Sequence, residues 1–308
     1  MLFFDEATVR RLLPMAKAVE LLESAFAGLA RGEAQNQPRR RLATPTGTVL
    51  HSMAGCWGKY LGTKIYSTNP KHGAWFLFWL IEEATGRPLA LFEANALGQI
   101  RTGAASGLAT KRLANADAAT VGLIGSGFQA AAQLEAMLAV RTISRVSVWS
   151  RNRANCEKFA RQYGQLVRVA DSAAEAVRDA AIVITATNGK NPVIAAEDIA
   201  PGAHINVMGS NNPSRREVPA ELLERCSRIV ADSVEACRIE AGDLILGLDD
   251  VGWKRVEQLD SAPVRQRRSD ITLFKSVGLG LEDVAVAGYI YERAIEAGLT
   301  TPLPVFAS

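Results

Sequence analysis

The chain has 308 residues, 48% of them hydrophobic and 22% charged, and its 35 lysines and arginines against 32 acids leave a formal charge of +3. At this length about three quarters of the surface of the unfolded chain is buried on folding, which excludes a disulfide miniprotein, a disordered chain and a coiled coil, and two domains are expected. The charge is too balanced for a nucleic-acid partner held by bulk attraction, so none is expected.

Cys56, Cys156, Cys226 and Cys237 show no CxxC spacing and no histidine at metal-ligand spacing. They read as reduced thiols, which points to the cytoplasm, and no metal site is expected. The opening MLFFDEATVRRLL lacks the charge order and cleavage site of a secretory signal. The apolar run Ala74 to Ile81 is too short to span a bilayer, so no membrane partner is expected.

In chain order, residues 5–31 predict an amphipathic helix pair broken near Pro14, with Val19, Leu22, Phe26 and Leu29 at helical spacing. From Gln37 to Glu93 short β-like pieces follow, the last two flanking the turn Thr85-Gly86-Arg87-Pro88, so this half reads as antiparallel. The aromatics Trp75, Phe76, Phe78 and Trp79 read as core or dimer interface. A helical stretch follows Leu97, and from Ala118 apolar strands alternate with Ala-rich helices. That alternation predicts βαβ units and a parallel sheet.

The segment VGLIGSGFQAAAQ places Gly125, Gly127 and Ala130 at GxGxxG/A spacing, after an apolar strand and at the mouth of a helix. One glycine allows the tight turn, the next lets a pyrophosphate approach the backbone, and the small third residue lets the helix lie close on the sheet. Gly125, Ser126, Gly127, Phe128 and Gln129 are therefore candidate cofactor contacts. At the end of the next strand, where NAD binders commonly carry an acid, stand Ser150 and Arg151. A hydroxyl followed by a guanidinium suits a 2′-phosphate, which favours NADP(H) over NAD(H); the alternative is that Arg151 and Arg153 are exposed helix-start charges. Thr185, Thr187 and Gly209, at the ends of later strands, are further candidates for the nicotinamide side. Arg40, Lys64 and Arg101 are three cations hard to explain as core. Each also has a bland reading as an edge, surface or cap residue.

At PRR with Arg40, LGTKIYS, TGRPLALFEAN, IRTGAAS, VGLIGSGFQA, VWSRN, GSNNPSRREV and DITLFKSVGLGLEDVAVA, the chain resembles the ornithine cyclodeaminase/mu-crystallin family over essentially its whole length. The resemblance implies a two-domain α/β subunit: a smaller α+β substrate-binding and dimerisation domain of residues 1–115 with 284–308, and a Rossmann domain of residues 116–283. It also implies a homodimer and hydride exchange at a carbon bearing nitrogen and a carboxylate. Arg40, Lys64 and Arg101 would hold the carboxylate of a small amino or imino acid, with Lys64 near the reacting nitrogen or oxygen. Thr102, Asn211, Lys275 and Gly278 would lie near the cofactor.

Two positions depart from the cyclodeaminase pattern, His51 and Asn211 standing where those enzymes carry acids. Asn211 cannot act as a base, and His51 is a candidate catalytic residue because an unperturbed imidazole titrates near neutrality; its bland reading is a hydrogen-bonded strand histidine. Asp283 reads as an early-helix acid facing the helix dipole, and His72 and His204 as structural. The expected activity is NAD(P)H-dependent reduction of a 2-imino or 2-oxo acid or a cyclic imine carboxylate. The alternatives are a cyclodeaminase with tightly held NAD+ and a binding protein without catalysis.

Overall fold

The computed structural model describes residues 1–305. The first part of the chain carries β1 (Leu2–Phe4), α1 (Glu6–Leu12), α2 (Met15–Ala30), β2 (Ala34–Ala43), β3 (Val49–Trp57), β4 (Tyr60–Asn69), β5 (Gly73–Glu82), β6 (Pro88–Glu93) and α3 (Asn95–Leu113). Then come β7 (Thr120–Ile124), α4 (Phe128–Val140), β8 (Arg145–Trp149), α5 (Arg153–Arg161), β9 (Val167–Val169), α6 (Ala173–Val177), β10 (Ile182–Thr185) and β11 (His204–Val207). The remainder holds α7 (Ala220–Arg225), β12 (Arg228–Ala231), α8 (Val234–Glu240), α9 (Gly242–Ile245), α10 (Asp250–Trp253), β13 (Val256–Gln258), β14 (Thr272–Lys275), α11 (Gly280–Glu296) and β15 (Thr301–Pro302).

These elements form two compact units, residues 1–102 with 278 onward, and residues 103–277. The first boundary falls inside α3 rather than after it, and the second just before α11 rather than in its first turn. Within the first unit the α3 N-terminus is capped by Glu6, whose carboxylate accepts from the Asn95 and Ala96 amides. Beyond the boundary Thr110 Oγ1 accepts from Asn206 of β11, so the two halves of one helix are bonded into different units.

The first unit is a seven-stranded sheet in the order β15-β1-β6-β5-β4-β3-β2. β2 to β6 run antiparallel as expected, while β1 lies parallel to β6. α11 packs on β3 and β4 and also touches α2. Met53, Lys64, Phe78 and Phe92 face inward and are buried. The alternate residues Leu42, Leu50, Ile65, Trp75 and Leu77 are exposed on the other face, as the period of two requires.

The second unit is an eight-stranded parallel sheet in the order β13-β12-β14-β11-β10-β7-β8-β9. From β7 the chain proceeds outward to β8 and β9, then returns to the opposite side of β7 with β10. That reversal is the topological switch point at which open α/β sheets bind their ligands.

Candidate active site

A cleft of about 1390 Å³ opens at the carboxyl ends of β7, β8, β10 and β11, within the second unit. Gly125 ends β7 with φ +114, and a β-carbon there would lie 2.4 Å from the Ala186 carbonyl oxygen, so only glycine fits. Gly127 is the N-cap of α4 and has no atom within 4 Å of its would-be β-carbon, which leaves the backbone open to a phosphate. Ser126, Phe128 and Gln129 share this rim, and Ser150, Arg151, Thr187 and Gly209 line the rest. Ser150 Oγ lies 2.9 Å from Ser126 Oγ, joining the first turn to the end of β8. Arg151 reaches Asn188 Oδ1 at 3.4 Å. Among the described residues the charged lining is wholly cationic: Arg151, Lys190 and Arg215. The N-terminus of a helix, an open backbone and these cations fit a dinucleotide's phosphates.

Beneath the cleft lies a buried network that sequence reading missed. The Glu217 carboxylate accepts from Thr185 Oγ1, the Thr187 amide and hydroxyl, and the Gly209 amide, at 2.7–2.9 Å. It thereby ties together the loops that leave β10 and β11. Asp243 accepts from the Glu217 and Val218 amides. Lys275 closes the network, with Nζ 2.8 Å from Asp243 Oδ2 and 2.7 Å from the Ser210 carbonyl oxygen. Burial alone would pull Lys275 down, but Asp243 and Glu217 outweigh it and hold the ammonium above the ordinary lysine range. Lys275 and Thr185 are 0% exposed, so both support cleft-lining loops instead of lining the cleft. Asn211 is exposed and outside the lining, and Thr102 and Gly278 fall in the other unit.

The second constellation lies in the first unit. Gly55 and Gly280 lack side chains where β3 meets the start of α11; a β-carbon on Gly55 would lie 2.4 Å from the Leu281 amide nitrogen. This close approach brings Glu282 and Asp283, both 0% exposed, to the cations. Lys64 Nζ and Arg101 Nε each lie 3.2 Å from Asp283 Oδ1, and Arg101 bonds Glu282 Oε2 at 2.7 Å. Lys64 and Arg101 are 3% and 6% exposed, the third cation being Arg39 at 7%. Arg39 donates to the Gly278 carbonyl oxygen, and its charge bears on Lys64.

The side chain of Arg40, the residue expected here, is exposed. On β2, Ala34 and Asn36 pair with Trp57 and Gly55, and carrying their alternation forward would turn Arg40 inward. A bulge between Gln37 and Arg40 inserts one residue and shifts that face to Arg39, which is buried, and to Arg41, which is exposed nearer the strand end. Lys64 is lowered to about 8, chiefly by burial and further by Arg101 and Arg39, with Asp283 opposing. Three cations and two carboxylates thus share a nearly dry setting.

His51 lies farther along the same face. Its Nε2 is 3.0 Å from Thr68 Oγ1 and its ring stacks on Tyr66 at 4.2 Å, which stacks in turn on Phe76 at 4.8 Å. Burial, with Arg41 and Arg39, pushes its pKa down to about 4. The imidazole is therefore neutral at physiological pH and does not titrate near neutrality. His204 is fully buried between Thr272 and Asn206, a structural residue as expected.

Comparison with known proteins gives a consistent picture. The model of the ornithine cyclodeaminase/mu-crystallin family matches residues 2–298. A Delta(1)-pyrroline-2-carboxylate reductase of Bacillus cereus is 40% identical over 227 residues, 70% of each chain. The alanine dehydrogenase of Archaeoglobus fulgidus is 31% identical over 99% of this chain and 98% of its own. The solved structure of the Thermococcus litoralis Delta(1)-pyrroline-2-carboxylate reductase, in complex with NADH and L-proline, superposes with a TM-score of 0.93 at 32% identity, covering 98% of this chain and 100% of that one. With a dinucleotide-type cleft in one unit and a buried cation cluster in the other, the chain belongs to the ornithine cyclodeaminase/mu-crystallin family.

Proposed function

We propose that this chain, an NAD(P)-dependent oxidoreductase of imino and oxo acids, uses NADPH to reduce the C=N bond of a cyclic imine carrying a single carboxylate. The cation cluster at Lys64 carries this reading. Arg39, Lys64 and Arg101 gather with Glu282 and Asp283 in a buried setting, where a substrate carboxylate would meet guanidinium and ammonium groups. A side-chain ammonium, as on ornithine, would meet two further cations, Arg39 and Arg41, beside a neutral His51.

Bound nicotinamide supplies the hydride; the rest of the chemistry falls to the residues of this chain. Arg39 and Arg101 fix the carboxylate by charge-assisted hydrogen bonds, which orients the adjacent carbon. Lys64, protonated at neutral pH, donates a proton to the imine nitrogen, which makes the neighbouring carbon more electrophilic. The cleft lining, in which the charged residues Arg151, Lys190 and Arg215 are all cations, supports NADPH over NADH, since such surroundings favour an extra 2′-phosphate. The exposed Leu42, Leu50, Ile65, Trp75 and Leu77 on one sheet face support a homodimer formed through that sheet. The four free thiols favour the cytoplasm, and no helix among the described residues is long and apolar enough to cross a membrane.

The test is nicotinamide consumption by the purified chain with pyrroline-2-carboxylate, piperideine-2-carboxylate, or 2-oxo acids plus ammonia. Steady turnover is expected with a cyclic imine, faster with NADPH than with NADH. Ammonia release from ornithine without net nicotinamide change would replace this reading with cyclodeamination.

A further inference from the structure

We infer that Asp283 is a positioning residue of this site: its Oδ1 atom holds both the Lys64 ammonium and the Arg101 guanidinium, fixing the spacing between the proton donor and one carboxylate anchor. The inference rests on the reductase reading above and adds to it a residue that never touches the substrate.

The geometry is specific. Lys64 Nζ and Arg101 Nε meet the same oxygen at 3.2 Å, while Asp283 Oδ2 is buried and makes no hydrogen bond among the described residues. A buried acceptor left unsatisfied costs free energy. Here that cost accompanies an arrangement in which two cations converge on one point. Asp283 lies in the first turn of α11, where the helix dipole favours its negative charge.

The groups facing Lys64 come from every neighbouring element. β2 brings Arg39, α3 brings Arg101, and α11 brings Asp283, with Glu282 reaching the cluster through Arg101. β5 presents the Phe76 ring 5.5 Å from Nζ. β3 places Met53 opposite in register and His51, neutral, two pairs farther along. Asp283 is thus the acid in direct contact with Lys64, opposing two cations and burial. Without it, Lys64 would lose its proton at a lower pH and its ammonium would have no fixed seat.

The experiment compares the pH dependence of kcat/KM for the cyclic imine in wild type, Asp283→Asn and Glu282→Gln. In D283N the alkaline limb should move toward acid by about one unit or more, the size expected for an opposite charge within hydrogen-bond reach, and kcat should fall with cofactor KM unchanged. E282Q should raise the KM of the imine through Arg101 and leave the limb in place. A D283N limb coincident with that of wild type overturns the inference.

Because D283N leaves buried cations short of an acid, its stability is also measured in a Lys64→Met background by urea melts. The destabilisation should shrink by at least about half there, the signature of coupled neighbours. An equal loss in both backgrounds overturns the inference even if D283N alone fails to fold. Absence of imine turnover by the wild type would instead sink the reductase reading, and the melts would still decide the Lys64–Asp283 coupling.

Discussion

Two lysines of this chain are buried beside aspartates at similar distances, yet their surroundings give them opposite characters. Lys275 in the parallel-sheet unit has Asp243 and Glu217 against it, so anions prevail and its ammonium is held above the ordinary range. Lys64 in the antiparallel-sheet unit is buried with Arg39 and Arg101 beside it and Asp283 as the acid in contact, so it is lowered to about 8. The first is locked into a scaffold that ties loops together. The second keeps a proton it can give up. A buried lysine is structural or reactive according to the balance of charge around it, and burial alone does not separate the cases.

The sharpest way to break this contrast is to remove each ammonium. Lys64→Met should lower kcat for imine reduction by about 10²- to 10⁴-fold, the usual contribution of a positioned general acid, while the fold persists because Asp283 keeps Arg101. Lys275→Met should do the reverse, costing about 3–5 kcal/mol in a urea melt as an acid pair is left buried without its cation. Equal stability losses in the two variants would dissolve the distinction.

Arginines beside Lys64 offer a finer test. Arg39→Ala should raise the KM of the imine carboxylate by about 10- to 100-fold, in keeping with a charge-assisted hydrogen bond. Arg40→Ala should stay within about twofold, as an exposed position does. The opposite ranking in steady-state kinetics would mean that the β2 bulge does not set which arginine serves the site.

The two lysines also carry opposite signs in the pH dependence of stability. Folding depresses the pKa of Lys64, so its charged form costs stability below about pH 8 and that cost is relieved as pH rises toward the unfolded value of 10.5. Lys275, raised on folding, contributes stability that is intact below the unfolded value and lost only as pH climbs through the folded one. Between pH 8 and 10 the stability of wild type relative to K64M should therefore increase in denaturant melts, and a flat or falling difference would contradict the lowered Lys64. The smallest effect is expected at the cleft. Arg151→Asp should shift the NADPH to NADH preference by about tenfold toward NADH, as read from the ratio of kcat/KM values.

Much of the scaffold was legible in the chain because its signals are local. The Gly125-x-Gly127-x-x-Ala130 spacing, the alternation of apolar strands with helices, and the Thr85–Pro88 turn each depend on a few adjacent residues, and each stands where it was expected. The GxGxxG/A rim and the Ser150–Arg151 pair line the cleft for the same reason: they end strands whose direction is set by the βαβ repeat. Arg39 was not legible, because its inward turn depends on a one-residue bulge whose presence is decided by pairing with β3. Nor were Glu217 and Asp243, whose partners lie 8 to 32 residues away. Asp283 looked like an ordinary early-helix acid until α11 was seen docked on β3, 219 residues from Lys64 in sequence.

The sequence by itself thus determined the order and type of the elements, the GxGxxG/A turn and the presence of cations in excess of core needs. Tertiary structure decided which arginine turns inward, which lysine is held as scaffold and which acid faces Lys64. Local signals follow from backbone propensity and the short periods of helix and strand. Charge balance in a buried site depends on long-range approach, which no window of neighbouring residues contains.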